Sequence, residues 1–228
     1  MRRIAAAATY LAGKISAPML PSGRLTLFLT PLLSAGLAGC SALYGLRRTP
    51  ETVDFALVRQ YAQDYGVGLS PATSLALDTS YYTFLRRQPT PQAPTLQLHA
   101  QPLQVLYFDR TGRLVSYFVN CNAGGFPNLN WNHDNAQANF PPASQTPPDS
   151  LVSFARLASF FRTMGGSRLQ GLETTADYTV VVFWSHRMGR QSRRLLATVR
   201  QNLQLVPAGQ RALLLYVNND AYLKRIGM

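Results

Sequence analysis

The chain is poor in the residues that most often carry out catalysis. Its 228 residues include only two cysteines, three histidines and ten acidic residues. There is no CxxC pair and no histidine cluster at metal-ligand spacing, so no metal site is expected. A GxGxxG fingerprint, a Walker sequence and a carboxylate pair placed for acid–base work are also missing. We therefore predict no cofactor, and an enzyme is the less favoured class.

Acidic residues are outnumbered by 22 lysines and arginines, which gives a formal net charge of +12. Residues 1–39 contain four of the basic residues and no acidic residue, so residues 40–228 carry +8. A basic surface of this kind suits anionic lipid, acidic glycans or nucleic acid, or it serves solubility alone.

One apolar run stands out, from Leu25 to Ala38, with Arg24 before it and Pro31 inside it. The run is too short to span a bilayer comfortably as a permanent helix, and the proline would kink it. It ends in Leu37-Ala38-Gly39-Cys40, where small residues precede a cysteine. The chain has no other long apolar segment, so no other membrane span is predicted.

This pattern resembles the lipobox signal of bacterial lipoproteins. The resemblance implies that residues 1–39 are a signal peptide, that Cys40 carries the lipid, and that residues 40–49 are a tether. Ser41, where an aspartate would resemble an inner-membrane retention signal, favours the outer membrane, facing the periplasm. The alternatives to a lipoprotein signal are a secretory signal with a chance cysteine and a true anchor helix. Separately, translation could start at Met19 in place of Met1. Such a protein rarely meets nucleic acid, so no nucleic-acid partner is expected, and Arg47 and Arg48 could touch anionic lipid.

The remaining residues, 50–228, predict a single α/β domain with an N-terminal helical appendage over 50–87. Thr49-Pro50 and a four-residue apolar spacing predict a helix over 50–65, and a second helix is predicted over 71–87. Alternation over 96–98 predicts a short strand. A helix capped by Asp149 or Ser150, with an apolar face that includes Phe161, is predicted to continue until Gly165-Gly166 ends it.

Two β features are clearer than the rest. Strands over 103–109 and 113–119 flank a turn that contains Gly112, which predicts an antiparallel hairpin. Strands over 178–184 and 211–217 flank a helix over 189–204, which predicts a parallel βαβ unit. The expected fold is therefore a mixed sheet with helices on both faces.

The βαβ unit also carries a resemblance. Phe183-Trp184-Ser185 followed by Gly189 is similar to the strand end and active loop of thioredoxins, whose two cysteines would fall on Met188 and Gln191. A thioether cannot exchange with a disulfide, so the resemblance implies a redox-inactive relative kept for binding. Either the hairpin at 103–119 supplies the family's later strands, or the unit is a generic βαβ.

Two regions are candidate ligand sites. The long loop after the hairpin combines Asn122 with Phe126 and Trp131, residue types that suit peptide or sugar recognition. The turn before the 189–204 helix carries His186, Arg187 and Arg190 near a helix N-terminus, which favours an anion. The main hypothesis is therefore a non-catalytic periplasmic module that binds a protein, peptide or glycan near the membrane.

The alternative is a thiol enzyme or a single-cysteine redox protein. If Cys40 carries lipid, Cys121 has no partner for an internal disulfide. His133 and several asparagines follow it, and these residue types accompany nucleophilic cysteines. This hypothesis requires Cys121 to be accessible with a lowered pKa.

Overall fold

A single sheet forms the frame of the part of the chain that the structure describes. The computed structural model describes residues 44–48, 52–68, 70, 73–89, 93–125, 127–169, 172 and 175–227, all within one compact unit, Ala38–Met228. The strands are β1 (Ser74–Leu77), β2 (Gln104–Asp109), β3 (Leu114–Val119), β4 (Phe161–Thr163), β5 (Tyr178–Trp184) and β6 (Ala212–Asn218). The α-helices are α1 (Phe55–Asp64), α2 (Ser80–Arg86), α3 (Ala93–His99), α4 (Phe154–Ala158), α5 (Gly189–Leu203) and α6 (Asp220–Arg225).

The sheet is mixed, with the strand order β3-β2-β5-β6-β1-β4. β5, β6 and β1 are parallel, with Val181 opposite Leu215 and Leu75 opposite Val217. β2 and β3 form an antiparallel hairpin that pairs antiparallel with β5, and β4 pairs antiparallel with β1. The predicted α/β class, the hairpin and the parallel βαβ unit are thus confirmed.

Each face of the sheet is covered by a hydrophobic core. Since successive side chains of a strand point to opposite faces, one strand can contribute to both cores. β5 illustrates this: Val181 and Phe183 pack into one core, while Val180, Val182 and Trp184 pack into the other. The first core contains buried side chains of α2, α4 and α6, namely Tyr81, Leu85, Phe154, Leu157, Tyr222 and Leu223. The second contains Ala62 of α1 and Leu195, Leu196 and Val199 of α5.

The region predicted as a helical appendage belongs to the sheet. β1 lies inside the predicted 71–87 helix and is buried along its whole length between β6 and β4. Both neighbours satisfy its backbone groups, and this outweighs any local helical preference. The first helix begins at Phe55, where Asp54 accepts the Leu57 N–H at 2.8 Å. Thr49 and Pro50 lie outside the described residues.

Two further predictions were wrong in detail. Residues 96–98 lie in α3 and not in a strand; Leu96 and Leu98 pack beside the first core from a helix. The helix predicted from Asp149 or Ser150 to Gly165-Gly166 is reduced to α4, which is capped by the Ser153 side chain. Phe161 instead opens β4, where pairing with Leu77 buries it.

A buried polar network joins α3 to the hairpin and to the residues before α4. His99 is fully buried, and its Nε2 lies 2.9 Å from the Asp149 carboxylate, which can only accept. Tyr117 donates its hydroxyl to Gln104 at 2.8 Å, and the Gln104 amide donates to the His99 carbonyl at 2.9 Å. Burial is the largest single effect and raises the pKa of Asp149, but the hydrogen bond from His99, the charge of His99 and the Leu151 N–H together outweigh it, so the pKa is lowered from its ordinary value of 3.8.

We expect Asp149→Asn to destabilise the protein in a pH-dependent way. A depressed folded-state pKa contributes stability above the unfolded pKa, and this contribution is lost as the pH falls through the folded value. The variant should therefore lose about 1–3 kcal/mol near pH 7, the usual value of a hydrogen bond to a charged group. Urea unfolding near pH 7 and near pH 3 measures both limits. A difference between wild type and variant that does not shrink at acid pH would contradict this assignment.

Candidate binding site

A cavity of about 430 Å³ lies at the carboxyl end of β5. The antiparallel pairing of β5 with β2, and of β2 with β3, places the start of β2 and the end of β3 at the same edge. The cavity is lined by Tyr44, by Leu46 and by residues near the ends of all three strands. The latter are Gln101, Pro102, Asn120, Cys121, Gly124, Gly125, Pro127, Leu129, Arg187, Met188 and Gln191. Open α/β sheets bind ligands at the carboxyl ends of their strands.

The cavity unites the two regions that the sequence marked separately. The loop after β3 supplies Cys121 and Leu129, and the turn before α5 supplies Arg187 and Met188. Sequence reasoning missed Tyr44, Leu46, Gln101 and Pro102. No local pattern could have shown that the predicted tether and the residues before the hairpin reach the same place.

The polar side chains of the cavity wall are engaged with the protein itself. Gln191, which is 3% exposed, accepts the Leu129 N–H at 3.0 Å and donates to the carbonyls of Pro127 at 2.7 Å and Tyr44 at 3.0 Å. Asn120 accepts the Leu103 N–H at 3.2 Å and donates to Gln101 at 3.0 Å. These groups fix the shape of the wall, while Leu46, Pro102, Leu129 and Met188 give it an apolar surface.

The segment Tyr44–Arg47 packs directly on the start of α5. Arg190 N–H donates to the Gly45 carbonyl at 3.4 Å, and Arg47 N–H donates to the Arg187 carbonyl at 2.8 Å. Gly189 has a φ of 45°, and a Cβ there would lie 1.9 Å from the Gly45 oxygen. The helix N-terminus that was predicted to attract an anion is therefore capped by a carbonyl of the same chain. This occupancy removes the reason for expecting an anion there.

The turn between β5 and α5 is held by a buried carboxylate. Asp220, which is 3% exposed, accepts the hydroxyl of Ser185 and the His186 N–H at 3.0 Å. It also accepts the Arg187 N–H at 3.5 Å and the Asn218 amide at 2.8 Å. Since Asp220 begins α6 after β6, these bonds tie the ends of two parallel strands together and fix one wall of the cavity.

His186 does not belong to an exposed basic turn. Its ring is 8% exposed and stacks on Tyr61 of α1, with centroids 3.4 Å apart and planes within 5°. Burial lowers its pKa, and the nearby charge of Arg47 lowers it further. A neutral, stacked ring of this kind joins α1 to the sheet edge. The prediction that His186 binds a ligand therefore does not fit its position.

Of the two residues predicted in the loop after β3 that the structure describes, neither offers an aromatic face to a ligand. Trp131 is 1% exposed and packs in the second core, where its ring is covered by the protein itself. Asn122 donates to Thr146 at 2.9 Å and thereby stabilises the loop. Phe126 lies outside the described residues, as does Cys40.

The geometry around Cys121 does not favour a nucleophile. Its thiol is exposed and faces the cavity, but partial burial raises its pKa above 9.0, whereas a reactive cysteine needs a lowered one. His133 places Nδ1 2.8 Å from Asp134 and Nε2 3.2 Å from the Asn122 carbonyl. Both ring nitrogens thus face groups other than the thiol. Among the described residues, no three histidine, cysteine or acidic side chains are placed to hold a metal ion.

We expect Gly189→Ala to detach the segment Tyr44–Arg47 from α5. The added methyl group cannot fit beside the Gly45 carbonyl, so the two backbone hydrogen bonds should open more often. Hydrogen–deuterium exchange over 44–48 and 187–191 should accelerate about tenfold or more, which corresponds to about 1.4 kcal/mol of opening free energy.

Gly209→Ala is the matched control for that experiment. Gly209 also has a positive φ, 84°, but a Cβ there meets no atom within 4 Å. This variant therefore carries the backbone strain without the collision. Equal exchange at 44–48 in the two variants would show that the segment does not depend on Gly189.

Comparison with known proteins assigns no family to the chain, since no family model, curated protein or solved structure matches it significantly. Within the described ranges, no helix is both long and apolar enough to cross a membrane. Function resides in sites and not in folds, so the cavity at the end of β5 is the feature on which a function can be proposed.

Proposed function

We propose that the protein is a lipid-anchored lipoprotein of the cell envelope that binds a peptide segment of a partner protein without catalysis. The cavity at the carboxyl end of β5 is the observation that carries the binding proposal. Its volume of about 430 Å³ falls within the usual range of ligand pockets. Apolar side chains of an extended peptide would occupy it.

The anchoring part of the proposal rests on the sequence. Leu37-Ala38-Gly39-Cys40 after a short apolar run supports signal removal and lipid attachment at Cys40. Ser41 supports an outer-membrane location facing the periplasm. The tether then leads within four residues to Tyr44, which lines the cavity.

A peptide suits the cavity better than a glycan does. Sugars are commonly bound by an aromatic face together with polar groups that are still able to hydrogen bond. Here Trp131 is buried in the core, and the side chains of Gln191 and Asn120 are bonded to their own chain. An apolar anchor residue needs only shape and apolar surface, which Leu46, Leu129 and Met188 supply.

A redox-inactive, thioredoxin-like origin is compatible with the topology. The hairpin β2–β3 pairs antiparallel with β5, on the side away from β6, and precedes the βαβ unit in the chain. This is the alternative in which the hairpin supplies the later strands from the N-terminal side. Met188 and Gln191 line the cavity where that family would carry thiols, which supports binding in place of exchange chemistry.

The anchor is tested by lipid attachment in a bacterial host. We expect the wild-type chain to incorporate an alkyne-tagged fatty acid and to lose residues 1–39. Cys40→Ser should abolish incorporation, because the thioether cannot form without the thiol. Cys121→Ser is the matched control and should label like wild type. A wild-type chain without lipid would overturn the anchoring proposal.

Binding is tested with random peptides displayed on phage and selected against the full chain. A bulky iodoacetamide on Cys121, coupled at alkaline pH because the thiol pKa is raised, should weaken selected peptides about tenfold or more. The same label on exposed Ala208→Cys, in a Cys121→Ser background, should leave their affinity unchanged. Selection of no peptide, or binding that is indifferent to the label on Cys121, would contradict the proposal.

A further inference from the structure

Five exposed arginines belong to two segments that also contribute to the cavity wall, and we call them the arginine face: Arg47, Arg48, Arg190, Arg193 and Arg194. Arg194 also donates its Nε–H to the carbonyl of Leu129 in that wall at 3.0 Å. Arg190, Arg193 and Arg194 are neighbours on α5, because residues three and four apart share one side of a helix. The hydrogen bond from Arg47 N–H to the Arg187 carbonyl joins the other segment to the start of α5.

The two segments also meet through their side chains. The guanidinium groups of Arg47 and Arg193 both lie over the ring of Tyr65, at 6.0 and 5.2 Å from its centroid. The acidic groups that act on Tyr65 are Asp64 and Asp220, and Asp220 is buried and bonded to the turn after β5. Positive charge therefore predominates on this surface.

The position of the face in the chain indicates its partner. Tyr44 follows Cys40 by four residues, so an extended chain places it at most about 14 Å from a lipid on Cys40. The Debye length at physiological salt is about 8 Å. Arg47 and Arg48 lie on the segment that continues from Tyr44, and the hydrogen bond from Arg47 to Arg187 keeps the arginines of α5 next to that segment. Where this surface comes within a Debye length of the headgroups, its charges act on them.

We propose that the arginine face binds the headgroups of anionic phospholipids and seats the domain on the membrane. This inference rests on the proposed lipid anchor. Arginine suits the role, because its planar guanidinium donates two parallel hydrogen bonds to a phosphate. A basic surface beside a lipid anchor is a common second signal that holds a protein against an anionic membrane. The cavity then opens beside the membrane, and its ligand is a membrane-proximal peptide.

The height of the domain above the bilayer tests the proposal. Once Cys40 carries lipid, Cys121 is the remaining thiol of the chain and accepts a fluorescent donor. The lipidated protein is reconstituted in phosphatidylcholine vesicles, with or without about 30% phosphatidylglycerol, and acceptors are placed on lipid headgroups. Energy transfer should rise in the anionic vesicles and fall again at about 1 M salt, where the Debye length is about 3 Å.

A charge-reversed variant shows whether these arginines are responsible. Each basic residue near an anionic surface favours the seated state about fivefold, so Arg190→Glu, Arg193→Glu and Arg194→Glu together should reduce it about a hundredfold or more. The control, Arg87→Glu, Lys224→Glu and Arg225→Glu, changes the charge equally on exposed sites directly after α2 and in the last turn of α6. Circular dichroism checks that both variants remain folded.

The outcomes separate this inference from the function on which it rests. A wild-type chain without lipid on Cys40 fails the anchoring proposal and removes the basis of the inference. If a lipidated chain gives equal energy transfer in neutral and anionic vesicles, headgroup binding by the arginine face is overturned, and the anchoring proposal is unaffected. Equal effects of the two triple variants would also overturn it, since net charge and not this surface would then be responsible.

Discussion

The carboxyl ends of β5 and β6 are held in place by one group, the buried carboxylate of Asp220. It accepts hydrogen bonds from the turn after β5 while lying at the start of α6, directly after β6. A buried carboxylate is tolerable only when it is fully hydrogen bonded. Its four donors therefore have to stay in place together. The turn, the first residue of α5 and the cavity wall take their positions from this arrangement.

The cavity wall offers shape and apolar surface more than polar groups that are able to bond a ligand. Gln191 makes three hydrogen bonds to two separate segments, and its Oε1 and Nε2 atoms both bond to the protein's own backbone. The thiol of Cys121 faces the same space with a raised pKa. A site of this kind recognises a ligand through the apolar surface it covers, and it offers no group prepared for proton or thiol chemistry.

The hydrophobic pattern predicted those parts of the fold that are continuous along the chain. The apolar run of β5 and the alternating hairpin are unambiguous, because burial on one or both faces dictates their composition. β1 escaped detection because Ser-Leu-Ala-Leu is too short to distinguish a strand from a helix, and its partners β6 and β4 are distant in sequence. β1 can be assigned as a strand only from its pairing with β6 and β4, not from the local sequence pattern.

The cavity also depends on contacts between residues that are distant in sequence, so the local pattern did not predict it. The loop after β3 and the turn before α5 were recognised as candidates, but only the strand order brings them to one cavity. His186 is a predicted ligand residue because it precedes a helix N-terminus with Arg187 and Arg190, yet Tyr61, from a helix far away in sequence, covers its ring. Trp131 was read as a binding residue because its neighbours are polar. Its burial depends on packing partners that the loop sequence does not reveal.

The close approach of Gly45 to Gly189 has a mechanical consequence. Tyr44 and Leu46 form part of the cavity wall, and two backbone hydrogen bonds together with the Gln191 amide hold their segment against α5. A force that pulls on Tyr44 is therefore applied to the wall itself before it reaches the sheet. Such a pull would open the cavity, whereas without it the wall stays complete.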